Sequence, residues 1–109
     1  MIEIDDSRIE IRDEDSEAAY LIVVDGSPVG RAEYRTIEDR RVFTHTEVDE
    51  EYSGMGLANR LVRFALDDMQ EQGKSIVPIC PFFAAYIRRH PEYDDLVDHG
   101  LARQLKKSR

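Results

Sequence analysis

The chain is expected to be an α+β protein, with a mostly antiparallel mixed sheet flanked by helices. Two observations carry that expectation. Four strand-like segments precede any helical pattern, and from residue 57 the apolar period changes from two to 3.6, the spacing that puts an apolar stripe on one side of a helix. A third observation adds a fifth strand: a short apolar segment containing a proline follows that helix and leads into another. At 109 residues the sequence corresponds to one domain, residues 1–109, because a chain of this length buries roughly two thirds of its unfolded surface, enough for a single core.

Residues 7–12 alternate apolar and polar side chains, and residues 18–24 form a more continuous run rich in Val, Ile and Tyr; both are strand patterns. Asp25-Gly26-Ser27-Pro28 between that run and the next strand, residues 29–37, joins turn-forming residues to a fixed proline φ and predicts a hairpin. After the polar break Glu38-Asp39-Arg40, residues 41–48 alternate again. Strict alternation puts Val42, Thr44, Thr46 and Val48 on one face and Phe43, His45 and Glu47 on the other. Leu57, Ala58, Leu61, Val62, Ala65, Leu66 and Met69 then recur at helical spacing, and Gly73 stands where a left-handed cap ends the helix. Residues 75–80 read as a short buried strand. Its Pro78 cannot donate a ladder hydrogen bond, which requires an edge position or a neighbour that has moved away. Pro81 opens a helix through about residue 89, closed by His90-Pro91. Residues 96–107 form a short last helix, and Lys106-Lys107-Ser108-Arg109 is expected to fray.

Fifteen Lys and Arg against 23 Asp and Glu give a formal net charge of -8. No basic run exceeds Lys106-Lys107, so nucleic acid and anionic membranes are not expected partners. The longest apolar run, the seven residues 18–24, is too short for a membrane span, and the sequence reads as soluble and cytoplasmic. One cysteine, Cys80, excludes an internal disulfide and a cysteine-based structural zinc site. The charge is divided unevenly. Residues 1–52 hold 16 acidic and 6 basic side chains, net -10, whereas residues 53–109 hold 7 and 9, net +2. Either this is a solvated acidic surface, or a cationic substrate is drawn to the first half and an anionic ligand held by the second.

The main chemical signal is Tyr52-Ser53-Gly54-Met55-Gly56-Leu57-Ala58, between a strand and a helix. Glycines at a helix start let a ligand approach the backbone, and the first-turn N–H groups with the helix dipole make an anion site. No Lys-Ser or Lys-Thr follows the glycines, so this is not a triphosphate P-loop. The third glycine of a dinucleotide fingerprint is missing too.

Together with His45-Thr46-Glu47-Val48, Val77-Pro78-Ile79-Cys80-Pro81-Phe82 and Tyr86-Ile87-Arg88-Arg89-His90-Pro91, that loop resembles the GNAT acetyltransferase superfamily, most closely its smallest single-domain members. The resemblance runs from about residue 42 to residue 97. It implies a GNAT-like fold in which the fourth and fifth strands splay apart to admit the pantetheine arm of acetyl-CoA as cosubstrate. Val48 on the splayed strand and Ser53, Gly54, Met55, Gly56, Leu57 and Ala58 are the implied cofactor-binding positions. Glu51 and Ser53 stand where the superfamily usually carries Gln, Arg or another basic residue, so phosphate affinity leans on backbone N–H groups and on nearby cations such as Arg60.

Four side chains are catalytic candidates. Cys80 immediately precedes Pro81, which puts its thiol near a helix N-terminus where a thiolate is favoured; it reads either as a reactive group at the thioester or as a small buried hydrophobe. His45 and Glu47 share one strand face, and either can take a proton from an amine; the resemblance favours Glu47. Tyr86 is the approximate counterpart of the family's general acid and equally a core aromatic one turn from Phe82 and Phe83. The implied function is an acetyl-CoA-dependent N-acetyltransferase acting on a small or peptidic amine. The alternative is a CoA- or acyl-CoA-binding sensor or adaptor without turnover. The expected state is a monomer or a weak homodimer joined through an uncovered sheet edge.

Overall fold

The structure, a computed structural model, describes residues 4–107. Four strands come first: β1 (Ile9–Glu14), β2 (Ala19–Val24), β3 (Ser27–Ile37) and β4 (Arg40–Val48). Helix α1 (Leu57–Gln72), strand β5 (Ile76–Pro78), helix α2 (Pro81–Arg89) and helix α3 (His99–Lys107) follow. The sheet order is β1-β2-β3-β4-β5, antiparallel up to β4 and parallel between β4 and β5. The mixed α+β architecture thus forms as its sequence pattern predicts. Asp25 and Gly26 both take positive φ, 51° and 82°, which is the backbone of a two-residue hairpin loop. Ser7 and Arg8, expected to start the first strand, instead lie in a 3-10 turn over residues 6–8, capped by the Asp5 side chain, which accepts from the Ser7 N–H. The last helix begins at His99, because residues 91–96 form a 3-10 turn after Pro91. Of the tail expected to fray, Ser108 and Arg109 lie outside the described residues, and Lys106 and Lys107 close α3.

The strict alternation expected along β4 does not hold. The β3–β4 register shifts between Glu33 and Tyr34, which face His45 and Phe43, so Thr44 is an extra residue bulged out of the ladder. One inserted residue reverses the faces of everything beyond it. Phe43 belongs to the main core with α1 and α2, and Val48 packs against that core, while His45 and Glu47 point to the opposite face.

That core joins Tyr20, Ile22 and Val24 of β2 and Phe43 of β4 to the apolar stripe of α1 and to Phe83, Tyr86 and Ile87 of α2. The Phe43 and Phe83 rings stack at 4.2 Å, fixing α2 beneath β4. Gly30 is required where β3 crosses this layer, since a Cβ there would lie 2.9 Å from the Glu47 carbonyl oxygen and from Ile22 Cγ2. At the β5 end of β4, Arg41 is buried. Its Nη1 lies 2.8 Å from Asp13 Oδ2 and donates to Tyr20 Oη at 2.7 Å, and the guanidinium sits 4.2 Å from the Tyr34 ring centroid. Tyr20 in turn donates to Asp68 of α1 at 2.6 Å, so one ionic and aromatic cluster ties β1, β2, β3, β4 and α1 together.

Candidate functional site

Strand β4 is nine residues long, yet β5 pairs with only three of them, Arg41, Val42 and Phe43. Pro78 lies opposite Phe43 at the last paired position. On the outer side of β5 the Ile76 carbonyl accepts from the Asp98 N–H at 2.9 Å, and by the alternation of a strand Pro78 presents its donor-free nitrogen to that same side. Beyond Pro78 the ladder is lost. The Ile79 N–H turns back to the Val77 carbonyl at 3.2 Å, and the Phe43 carbonyl takes the Cys80 N–H at 2.8 Å. Residues 44–48 therefore continue with β3 alone, leaving a slot between the two strands. Cys80, the N-cap of α2, is 4% exposed, and its Sγ meets Thr46 Oγ1 at 3.4 Å across the slot.

The glycine loop opens α1 on the same side. Gly54 and Gly56 take φ of 79° and 75°, which glycine adopts freely, and a Cβ added at either would meet no atom within 4 Å. Gly56 is the N-cap of α1 and no side chain caps the helix; the first turn carries no acidic residue. The Arg60 N–H is the first to donate within the helix, to the Gly56 carbonyl at 3.2 Å. Among the described residues the backbone N–H groups of residues 54–59 thus have no internal acceptor, and the dipole adds to their pull on an anion. Met55 and Tyr52 anchor the loop by packing against the core.

The remaining sequence candidates are spread around these two features. His45 Nε2 and Glu47 Oε2 lie 3.5 Å apart on the face away from α1, both more than half exposed. Arg60 points from the second turn of α1 toward the N-terminal segment and pairs with Asp6 at 2.8 Å. Tyr86 is buried, its ring stacked on His90 at 4.1 Å, and burial holds its hydroxyl above the usual tyrosine range. That hydroxyl feels the charges of Arg63 and Asp67 on α1, and six residues of α2, about 9 Å of helix rise, separate Tyr86 from Cys80. The fold thus brings Cys80, Thr46 and the strand carrying Glu47 together and leaves Tyr86 one helix face away.

The family model for GCN5-related N-acetyltransferases matches residues 19–96, more than two thirds of the chain and all the elements just described from β2 to β5 and α2. The chain belongs to the GCN5-related N-acetyltransferase family. Its fold is shared by a Staphylococcus aureus protein solved by NMR and assigned to the GCN5-like N-acetyltransferases, with a TM-score of 0.63, 22% identity, and coverage of 84% of this chain and 89% of that one. No curated protein matches the chain at a significant level.

In this N-acetyltransferase-family chain the residues present fit acetyl-CoA on two structural grounds. The open space over Gly54 and Gly56, walled by unpaired N–H groups, suits a pyrophosphate, and the slot between β4 and β5 exposes strand edges to an extended amide-bearing arm. Thr46 escaped the sequence reading because alternation assigned it without regard to the bulge at Thr44. A cleft of about 300 Å³ escaped it too. It lies on the sheet face opposite α1, and Glu17, Glu47 and Asp49, 32 residues apart at the extremes, meet only in the folded sheet. Among the described residues no group of three or more His, Cys, Asp or Glu side chains is arranged to hold a metal ion, and no helix is long and apolar enough to cross a membrane.

Proposed function

We propose that this chain is an acetyl-CoA-dependent N-acetyltransferase that moves an acetyl group onto an amine. The observation that carries the proposal is the parting of β4 from β5 after the Phe43–Pro78 pair, beside a helix N-terminus with two open glycines and no cap. In this reading the N–H groups of residues 54–59 hold the pyrophosphate, with Ser53 at the loop's entry and Arg60 reaching it by exchanging Asp6 for phosphate. The free backbone groups of β4 from Thr44 to Val48 hold the pantetheine amides, and Cys80 and Thr46 wall the thioester end. Bound there, acetyl-CoA supplies an activated acetyl group. Glu47, or His45 beside it, takes the proton as the amine nitrogen bonds to the acetyl carbon, the carbon–sulfur bond breaks, and Tyr86 returns a proton to the departing thiolate. Strand N–H groups facing the slot polarise the carbonyl.

The position of Tyr86 against Arg63 and Asp67 favours a second reading, a CoA-binding module without turnover. Thiol release from acetyl-CoA across a panel of primary amines decides between them. Amine-dependent release supports the transferase. Tight CoA binding without release supports the module, and no binding of acetyl-CoA contradicts both.

A further inference from the structure

Resting on the transferase reading above, we propose that the acceptor is a short aliphatic diamine, seated in the cleft on the sheet face opposite α1 and α2. The cleft holds about 300 Å³, at the small end of ligand sites, which run from about 300 to 1,000 Å³. Its floor is apolar, from Leu21 and Pro28, and Leu21 is 4% exposed; Val29 borders the cleft, but its side chain lies in the core on the α1 face. Its polar groups are the carboxylates of Glu17, Glu47 and Asp49 and the guanidinium of Arg31. Arg31 is already held by its own carboxylates, Nη1 at 3.4 Å from Glu17 and Nε at 3.2 Å from Glu33, the latter without hydrogen-bond geometry. Three carboxylates and one guanidinium leave the lining at -2. An apolar floor between carboxylates matches an alkyl chain with an ammonium at each end, and rejects a ligand carrying a carboxylate.

The cleft also adjoins the slot. Glu47 lines it from β4, one residue from Thr46, whose hydroxyl contacts Cys80. Leu21, Arg31 and Glu47 lie in one cross-strand row, so β2 and β4 are about 10 Å apart there. A four-carbon diamine is about 6 Å between nitrogens by standard bond lengths, and a charge-assisted hydrogen bond of about 2.8 Å at each end lets it bridge that row. One nitrogen then faces Glu47 and the slot as nucleophile. The other is held by Glu17 or Asp49.

The test compares initial rates of thiol release from acetyl-CoA with 1,4-diaminobutane, n-butylamine and 4-aminobutanoate. The expected order puts the diamine about tenfold or more above butylamine in kcat/KM, the effect of one charge-assisted hydrogen bond, with 4-aminobutanoate lowest. Glu17→Gln and Asp49→Asn each lower the diamine-to-butylamine ratio, through KM. A companion titration follows backbone amide resonances as 1,4-diaminobutane is added to the protein saturated with CoA, and Leu21, Gly30 and Arg31 are expected to shift. Turnover without preference for the diamine, or a lysine peptide outrunning it, overturns this inference and leaves the transferase standing. Resonance shifts at the cleft without turnover overturn the transferase and leave the diamine site. Neither shifts nor turnover overturns both.

Discussion

Thr46 and Cys80 touch across the gap between β4 and β5, hydroxyl oxygen to sulfur at 3.4 Å, three residues beyond the last ladder pair on β4. The contact closes the deep end of the slot with the polar atoms of two side chains from different strands, both on the helix side of the sheet. It depends on the bulge at Thr44, which turns Thr46 toward α2.

A thiol that is 4% exposed and held by a hydroxyl is shielded from reagents in solution. Alkylation of Cys80 by iodoacetamide, followed by mass spectrometry, is expected to be slow in the folded protein. Saturating CoA slows it several-fold further, and Thr46→Val speeds it by removing the partner. Equal rates with and without CoA would remove Cys80 from the slot. Cys80→Ser separates the two roles of the thiol: retained turnover makes it a wall of the site, and loss of turnover with retained CoA affinity makes it an acetyl acceptor.

Gly56 and Gly73 cap the two ends of α1 with similar backbones, φ 75° and 67°. Alanine at either position costs about 1 kcal/mol, because an L side chain is strained in the left-handed region. Thermal unfolding is therefore expected to drop by a similar few degrees in both variants. Calorimetric titration separates them: Gly56→Ala puts a methyl in the open space of the anion site and weakens CoA binding about tenfold or more, whereas Gly73→Ala leaves it unchanged.

Arg41 is the buried cation of the Asp13–Tyr20–Tyr34 cluster. Arg41→Met leaves the Asp13 carboxylate with the Tyr34 hydroxyl but no cation, and is expected to lower stability by about 3 kcal/mol in chemical denaturation. Adding Asp13→Asn removes the orphaned charge and recovers part of the loss. A double variant no more stable than Arg41→Met would show that the pair does not carry the cluster.

Four of the five tyrosines have raised pKa values. Burial is the main cause at Tyr20, Tyr34 and Tyr86, and burial followed by the Asp67 hydrogen bond lifts Tyr93 to about 12. A folded pKa above the unfolded one means that the neutral phenol is favoured by the fold. Stability from these groups is therefore complete below about pH 10 and is lost as pH rises, for Tyr93 through about 12. Tyrosinate absorbance at about pH 10.5 is expected to be less than half as strong in native protein as in denaturant. Equal absorbance would contradict the buried placements.

Much of this was legible locally. The hairpin at Asp25-Gly26, the stripe and left-handed cap of α1 and the outer-edge position of Pro78 each follow from what a few adjacent residues can and cannot do. What stayed hidden depends on pairing between distant segments. The bulge at Thr44 is fixed by the match of β3 to β4, and it alone decides which face His45, Thr46 and Glu47 take. Arg60 reads as a free cation near the loop until Asp6, 54 positions away, is brought to it. Tyr86 reads equally as an acid and as a core aromatic, and only the fold shows that Arg63 and Asp67 of α1 lie beside it.

The central claim is that the glycine loop and the β4–β5 slot form one acetyl-CoA site. A titration of CoA into isotope-labelled protein, read on backbone amides, tests it most directly. The account predicts saturable shifts at residues 54–59 together with residues 44–48 and at Ile79 and Cys80. Shifts confined to the groove of about 350 Å³ beside Ile11, Arg63 and Phe64, or no shifts at all, would contradict it.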